Sequence, residues 1–323
     1  MKNELYPLKF QPILKDKVWG GSKLKTVLHK NTTSNKTGES WEISAIENSV
    51  SVVDNGTLKG KSLTDLLSIY KADLVGEEVY HKYGNKFPLL FKFLDAGQNL
   101  SLQLHPNNEI AKKRHNSFGK TEMWYVLQVD NQAGIYVGFE KGTTREDYLR
   151  HLENGSLEKI MNFEEVKPGD VFYIKPGLVH SIGEGVLLAE IQQSSDITYR
   201  IFDWNRRDLN GEPRTLHTEL ALDVIDFEFE DFKIEYENEV DVFQTLVKSD
   251  FFKTRRIDLS KDIEIDYSAT SSFVVFMCVK GKADIQNTEF SVSLKYGETL
   301  LIPACINQIK IKTKEVELLE VSL

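Results

Sequence analysis

Short runs of alternating or continuous apolar residues, each closed by turn-forming residues, dominate the N-terminal two thirds of the chain. They are SVSVVDNGTL (49–58), NLSLQLHP (99–106), EMWYVLQVDNQAGIYVGF (122–139), GDVFYIKPG (169–177) and GVLLAEIQQ (185–193). Strand side chains project alternately to opposite faces, so this number and spacing of runs predicts an antiparallel β sandwich or barrel. Helical periodicity is confined to three places, 62–84, 145–163 and 217–227, with Ser62 placed to cap the first. These segments read as insertions decorating a β framework.

An internal echo extends the pattern. VKPGDVFYIKPGLVHSI (166–182) and LKYGETLLIPACINQIKI (294–311) share a basic residue, a turn glycine, an acid, an apolar strand and a proline. Two copies of one β module are implied. Aligned on glycine and proline, His180 of the first copy falls opposite Asn307 of the second, and residues 228–323 contain no histidine. The acidic stretch 227–241 lies between the copies and is the candidate linker or connecting strand, which puts a boundary near residue 230.

Composition narrows the function classes. The chain has 323 residues, 41% of them hydrophobic and 28% charged, which suits a globular protein of two domains and excludes collagenous or wholly disordered classes. A net charge of -9 has the wrong sign for a protein that neutralises nucleic-acid phosphates. No apolar stretch of ~18 residues could span a membrane, and the first residues lack a signal-peptide core, so a cytoplasmic location is expected. Only Cys278 and Cys305 occur, without a CxxC pair, so a bound metal would need histidine, carboxylate or amide ligands.

Such residues stand at strand ends. Gln103 and His105 are two apart in SLQLHP and share one face of their strand, opposite Leu102 and Leu104. Glu122 opens an otherwise apolar strand, where an unpaired buried carboxylate would be costly. His180 ends the run VFYIKPGLVH beside a turn. Each alone also fits a solvated strand tip. Together, two imidazoles, a carboxylate and an amide oxygen match the donor types of a divalent catalytic site with one position open. His29, His81, His115, His151 and His217 read as solvated or capping histidines.

The ordered segments KVWGG (17–21), GESWEIS (38–44), FPLLFKFLDAGQNLSLQLHP (87–106), GKTEMWYVL (119–127), PGLVHSIGEG (176–185) and TYRIFDWNR (198–206) resemble type I mannose-6-phosphate isomerases of the short bacterial form. The resemblance spans residues 6–230. It implies a mainly β chain of two cupin-like antiparallel barrels or sandwiches: a catalytic domain, 1–230, with helical segments, and a degenerate copy, 231–323, without metal ligands. It further implies one Zn²⁺ held by His105, Glu122, His180 and, in some family members, Gln103. By the same resemblance Arg200, Lys120 and Asp196 line the active site, and Lys92 and Ser101 lie near the substrate phosphate.

The implied reaction interconverts mannose 6-phosphate and fructose 6-phosphate through a cis-enediol, which needs a Lewis acid, a base and an anion clamp. The base is left open between a zinc-bound water and Asp196. Arg200 stays protonated at neutral pH and takes an electrostatic or positioning role. Two other readings compete: a cupin oxygenase or epimerase using the same ligands with iron or manganese, and a non-catalytic module that binds sugar phosphates. The expected partner is a small sugar phosphate, with no nucleic acid and no membrane, and the sequence sets no oligomeric state.

Overall fold

The computed structural model describes residues 5–208 and 210–323. Two antiparallel sheets face each other in the site-bearing part of the chain. One has six strands in the order Ile13–Gly21, Thr37–Ile43, Leu89–Asp95, Val186–Gln193, Glu122–Val129, Val171–Ile174. The other has five, in the order Tyr199–Phe202, Leu102–Leu104, His180–Ile182, Gly134–Phe139, Met161–Glu165. Neither sheet closes on itself, so of the two architectures expected the sandwich forms and the barrel does not. Trp124, Val126, Phe172, Ile174 and Leu188 of the first sheet meet Ile135, Val137 and Ile182 of the second in one buried cluster. Each such side chain, removed from water, contributes on the order of 1.5–3 kcal/mol.

The other face of the five-stranded sheet buries Leu102, Leu104, Val179, Tyr199 and Ile201 under helical segments that supply Tyr148, Leu157, Ile160 and Ala221. Helix Arg145–Glu153 starts at a Thr144/Asp147 capping box. The periodicity of 217–227 yields helix only over Thr218–Leu222, while Val224, Ile225 and Phe227 pack on the same cluster in irregular backbone. Helix Asn108–His115, capped by Asn107, was not marked by the sequence pattern, because only Ala111 of it is buried.

Seven strands form a third sheet. Its main path is Gln244–Lys248, Lys253–Leu259, Gln308–Ser322, Val274–Gln286, Ser291–Lys295; Ile263–Asp266 also pairs with Gln308–Ser322, and Thr299–Ile302 with Val274–Gln286. These strands enclose their own core, which includes Ile257, Phe276, Ile285, Leu300, Ile311 and Leu318. The segment 62–84 is broken into Leu63–Tyr70, Ala72–Val75 and Glu77–Tyr83, because Lys71 and Gly76 adopt φ of 48° and 94°. Of the run 49–58, only Ser49–Val50 is strand.

Compactness divides the chain in space rather than in order. One unit comprises Met1–Ile13, Trp41–Leu90 and Glu235–Leu323; the other comprises Leu14–Ser40 and Phe91–Ile234. Inside the first unit, Leu8 and Leu301 exchange backbone hydrogen bonds of 2.8 and 2.9 Å, and the rings of Phe87 and Phe273 lie 4.7 Å apart. The acidic stretch 227–241 begins as part of the second unit: Phe232 is buried in its core, and Tyr173 N–H donates to Phe232 O at 3.0 Å. No helix among the described residues is long and apolar enough to cross a membrane.

Candidate metal centre and active site

The site grows out of strand register. Glu122 lies opposite Ile174 on one neighbouring strand and Gln192 on the other. His180 lies opposite Val137 and Gln103, and Gln103 lies opposite Arg200. Directly opposed side chains of an antiparallel pair share a face. Glu122 therefore shares the inner face of its sheet with Trp124 and Val126, and His180 shares the inner face of its sheet with Ile182. The apolar members build the core between the sheets, and the polar members gather at one end of it. His105 follows directly on strand Leu102–Leu104.

His105, Glu122 and His180 are fully buried, and one donor atom from each lies within 4.8 Å of the others. His105 Nε2 is 3.8 Å from Glu122 Oε2, and His180 Nε2 is 3.5 Å from Glu122 Oε1. Each imidazole donates from Nδ1 to a backbone carbonyl at 2.8 Å, Ile197 O for His105 and Leu178 O for His180. That contact puts the proton on Nδ1 and leaves the Nε2 lone pair aimed at the centre. Both Nε2 atoms and both Glu122 oxygens lack a well-formed hydrogen bond. Two imidazole nitrogens and a carboxylate oxygen without a partner, with the other Glu122 oxygen met only by Lys120, would be expensive in a purely structural core. A divalent cation satisfies all of them, and the donor set of two nitrogens and a carboxylate suits zinc or a first-row neighbour.

Burial pushes the His180 imidazole down to about 4, and burial with the nearby Lys120 holds His105 well below the ordinary range. Both rings are therefore neutral and ready to ligate at neutral pH. Burial and the Glu190 carboxylate raise Glu122 to about 7, against the pull of Lys120. Lys120 Nζ stands 2.9 Å from Glu122 Oε2. Burial lowers Lys120, but Glu122 and Glu190 together more than reverse it, so this lysine is held as a cation.

The remaining residues expected at the site fall in the same compact unit in different settings. Lys92 is buried and pairs with Glu190 at 2.7 Å. Ser101 is buried, and its hydroxyl donates to Gln103 Oε1 at 3.3 Å. Arg200 is half-buried; Nη1 donates to Thr215 O at 2.9 Å, and Nε has no acceptor among the described residues. Its neighbour Asp203 is engaged instead by Arg206 and Arg214. Asp196 is exposed in the middle of the loop between strands Val186–Gln193 and Tyr199–Phe202 and acts electrostatically on Lys15.

Glu190 is the residue that sequence reading missed. It accepts from Lys92 Nζ at 2.7 Å and Trp124 Nε1 at 3.1 Å, and although burial opposes ionisation, Lys92 and Lys120 bring its pKa down to about 2. A signal was present: a lone carboxylate inside GVLLAEIQQ, a run apolar enough to be buried on both faces. Thr121 and Gln192, each with a buried oxygen lacking a partner, also flank the centre.

Comparison with known proteins accords with this geometry. Residues 7–128 match the catalytic domain of type I phosphomannose isomerase, and residues 243–322 match the mannose-6-phosphate isomerase cupin domain. The mannose-6-phosphate isomerase ManA of Bacillus subtilis is 34% identical over 310 residues, covering 95% of this chain and 96% of that protein. The crystal structure of the Bacillus subtilis mannose 6-phosphate isomerase superposes with a TM-score of 0.88 at 30% identity, covering 99% of this chain and all of the other. A more distant mannose 6-phosphate isomerase, solved with zinc and yttrium bound, shares the fold at a TM-score of 0.77 and 18% identity, over 98% of this chain and 99% of its own. With matched catalytic and cupin domains and a buried His/Glu/His centre where the two sheets meet, this chain belongs to the type I phosphomannose isomerase family.

Proposed function

We propose that the protein is a zinc-dependent aldose–ketose isomerase that interconverts mannose 6-phosphate and fructose 6-phosphate through a cis-enediol. The observation that carries this reading is the convergence of buried ligand atoms from His105, Glu122 and His180 beside the cations Lys120 and Lys92. Zinc, as found in a relative of the same fold, would act as a Lewis acid polarising the substrate oxygens at C1 and C2. Gln103 offers a further amide ligand from the neighbouring strand position, and the metal and its ligands are confined to the 1–230 segment.

The protein groups divide the remaining work. Lys120, kept protonated inside a dry site, offsets negative charge that develops on the substrate oxygens, and fixed charge is worth more there than in water. Lys92 and Ser101 receive the phosphate end, and Glu190 fixes the Lys92 ammonium and the Trp124 indole in place. Arg200 supplies further positive charge toward the transition state. Asp196 stands beside Ile197, whose carbonyl orients His105, and is the candidate base among the side chains, with a zinc-bound water as the other candidate.

The decisive measurement is incubation with mannose 6-phosphate in deuterated water, followed by NMR of C1 and C2. Formation of fructose 6-phosphate with deuterium at the exchanging carbon is the expected result. Turnover of mannose 6-phosphate with no solvent exchange would point to hydride transfer in place of an enediol. No conversion at full zinc occupancy would remove the isomerase reading.

A further inference from the structure

The third sheet repeats the register of the site-bearing sheet at the positions that matter. In the first copy, Trp124 lies opposite Phe172 on one side and Glu190 on the other, with Glu122 opposite Ile174. In the second, Phe276 lies opposite Leu300 and Glu320, with Val274 opposite Ile302. Glu320 thus occupies the place of Glu190, and Val274 the place of the metal-binding Glu122. The pairing is retained as well. Arg255 holds Glu320 through Nε and Nη2 at 2.6–3.0 Å, as Lys92 holds Glu190, and the Tyr267 hydroxyl donates to Glu320 at 3.0 Å. The second copy has lost its ligands and kept an acid–base pair in which Glu320 is buried and Arg255 is partly exposed.

That pair borders a cavity of about 500 Å³ walled by Phe243, Ile263 and Ile265, within the size range of small-molecule sites. Lys253, two residues before Arg255 and on the same strand face, also lines it. Among the described residues, Lys253 makes no ion pair or hydrogen bond, and Arg255 directs Nε and Nη2 to Glu320 while Nη1 has no acceptor. Lys253 and the Nη1 edge of Arg255, a guanidinium held in place by Glu320 and stacked 4.0 Å from the Phe243 ring centroid, thus border one cavity. Its rim carries hydroxyls of Thr270 and Ser322 and carboxylates of Glu264 and Asp266, which suit hydroxyl groups.

We propose that this cavity is a second, non-catalytic site that binds a small phosphorylated polyol, with phosphate on Lys253 and Arg255 and the hydroxyls on the polar rim. Lacking the metal-binding carboxylate, it holds its ligand without converting it.

The test uses the full zinc-loaded chain labelled at isoleucine δ1 methyls and titrated with glucitol 6-phosphate, which cannot isomerise. The methyls of Ile263 and Ile265 report this cavity, and that of Ile174, opposite Glu122, reports the metal centre. Saturable shifts at Ile263 and Ile265 are expected. Lys253→Glu should weaken them about tenfold or more while leaving the Ile174 response and the turnover intact. Shifts confined to Ile174 would overturn the proposal. So would cavity shifts that are unaltered in Lys253→Glu, or that unphosphorylated glucitol produces equally.

Discussion

Arg200 is tied by one nitrogen to a backbone carbonyl and has a buried Nε without an acceptor, so part of its guanidinium is uncommitted to the fold. With Lys92 and Lys120 as further cations, phosphate binding should survive its loss better than transition-state stabilisation does. Arg200→Ala should therefore lower kcat and kcat/KM together at unchanged zinc content, whereas a pure phosphate anchor would mainly raise KM. Steady-state kinetics with parallel metal analysis checks this. His180 makes a second prediction. Its pKa falls from 6.5 to about 4 on folding of the metal-free chain, so below pH 6.5 the unfolded state takes up a proton that the folded state declines. Its contribution is present in full above pH 6.5 and is lost as the pH falls to about 4, at a cost of ~3 kcal/mol. Urea unfolding of metal-free protein across that range should show the loss, and His180→Gln should flatten the curve.

Among the elements, the helical stretch 62–84 shows how a strong period can be cut by two backbone positions. Gly76 separates Ala72–Val75 from Glu77–Tyr83 at φ 94°, and a Cβ there would meet the Ser271 carbonyl oxygen at 2.1 Å. Gly84 ends the next helix at φ 58° with open space around it. Gly76→Ala should thus destabilise by several kcal/mol, combining strain with a backbone clash, and Gly84→Ala by only ~1 kcal/mol. Chemical denaturation of the two variants side by side decides. The periodicity of 62–84 was legible because local sequence sets amphipathicity, as was the Ser62 cap; the break at Gly76 goes with packing against Ser271, nearly two hundred positions away. The helix Asn108–His115 was illegible for the opposite reason, since one buried alanine leaves almost no periodic signal.

For the molecule as a whole, the spatial division of the chain makes an expectation about fragments. Residues 231–323 in isolation lack Leu8, which pairs with Leu301, and Phe87, which packs on Phe273. The isolated fragment should be unstable, with poor dispersion of amide signals, although its own strands enclose a core. In the full chain, chelation should abolish turnover yet leave the far-ultraviolet spectrum unchanged and the Tm lowered, because metal binds only the folded form. The apolar cores of both units do not depend on the ion. Loss of all structure on chelation would mean that the metal builds the fold. Asn307, exposed where the second copy departs from His180, should tolerate alanine with unchanged kinetics and metal content.

Sequence alone determined the antiparallel β class, the duplicated module and the strand-end positions of His105, Glu122 and His180, because strand alternation and turn residues act locally. Tertiary structure decided what surrounds them. Only the pairing of distant strands brings Lys92 to Glu190 across 98 positions and seals both from water. The same register leaves Val274 where a metal-binding carboxylate would stand while keeping Arg255 on Glu320, and no local pattern encodes which residues face each other across a sheet.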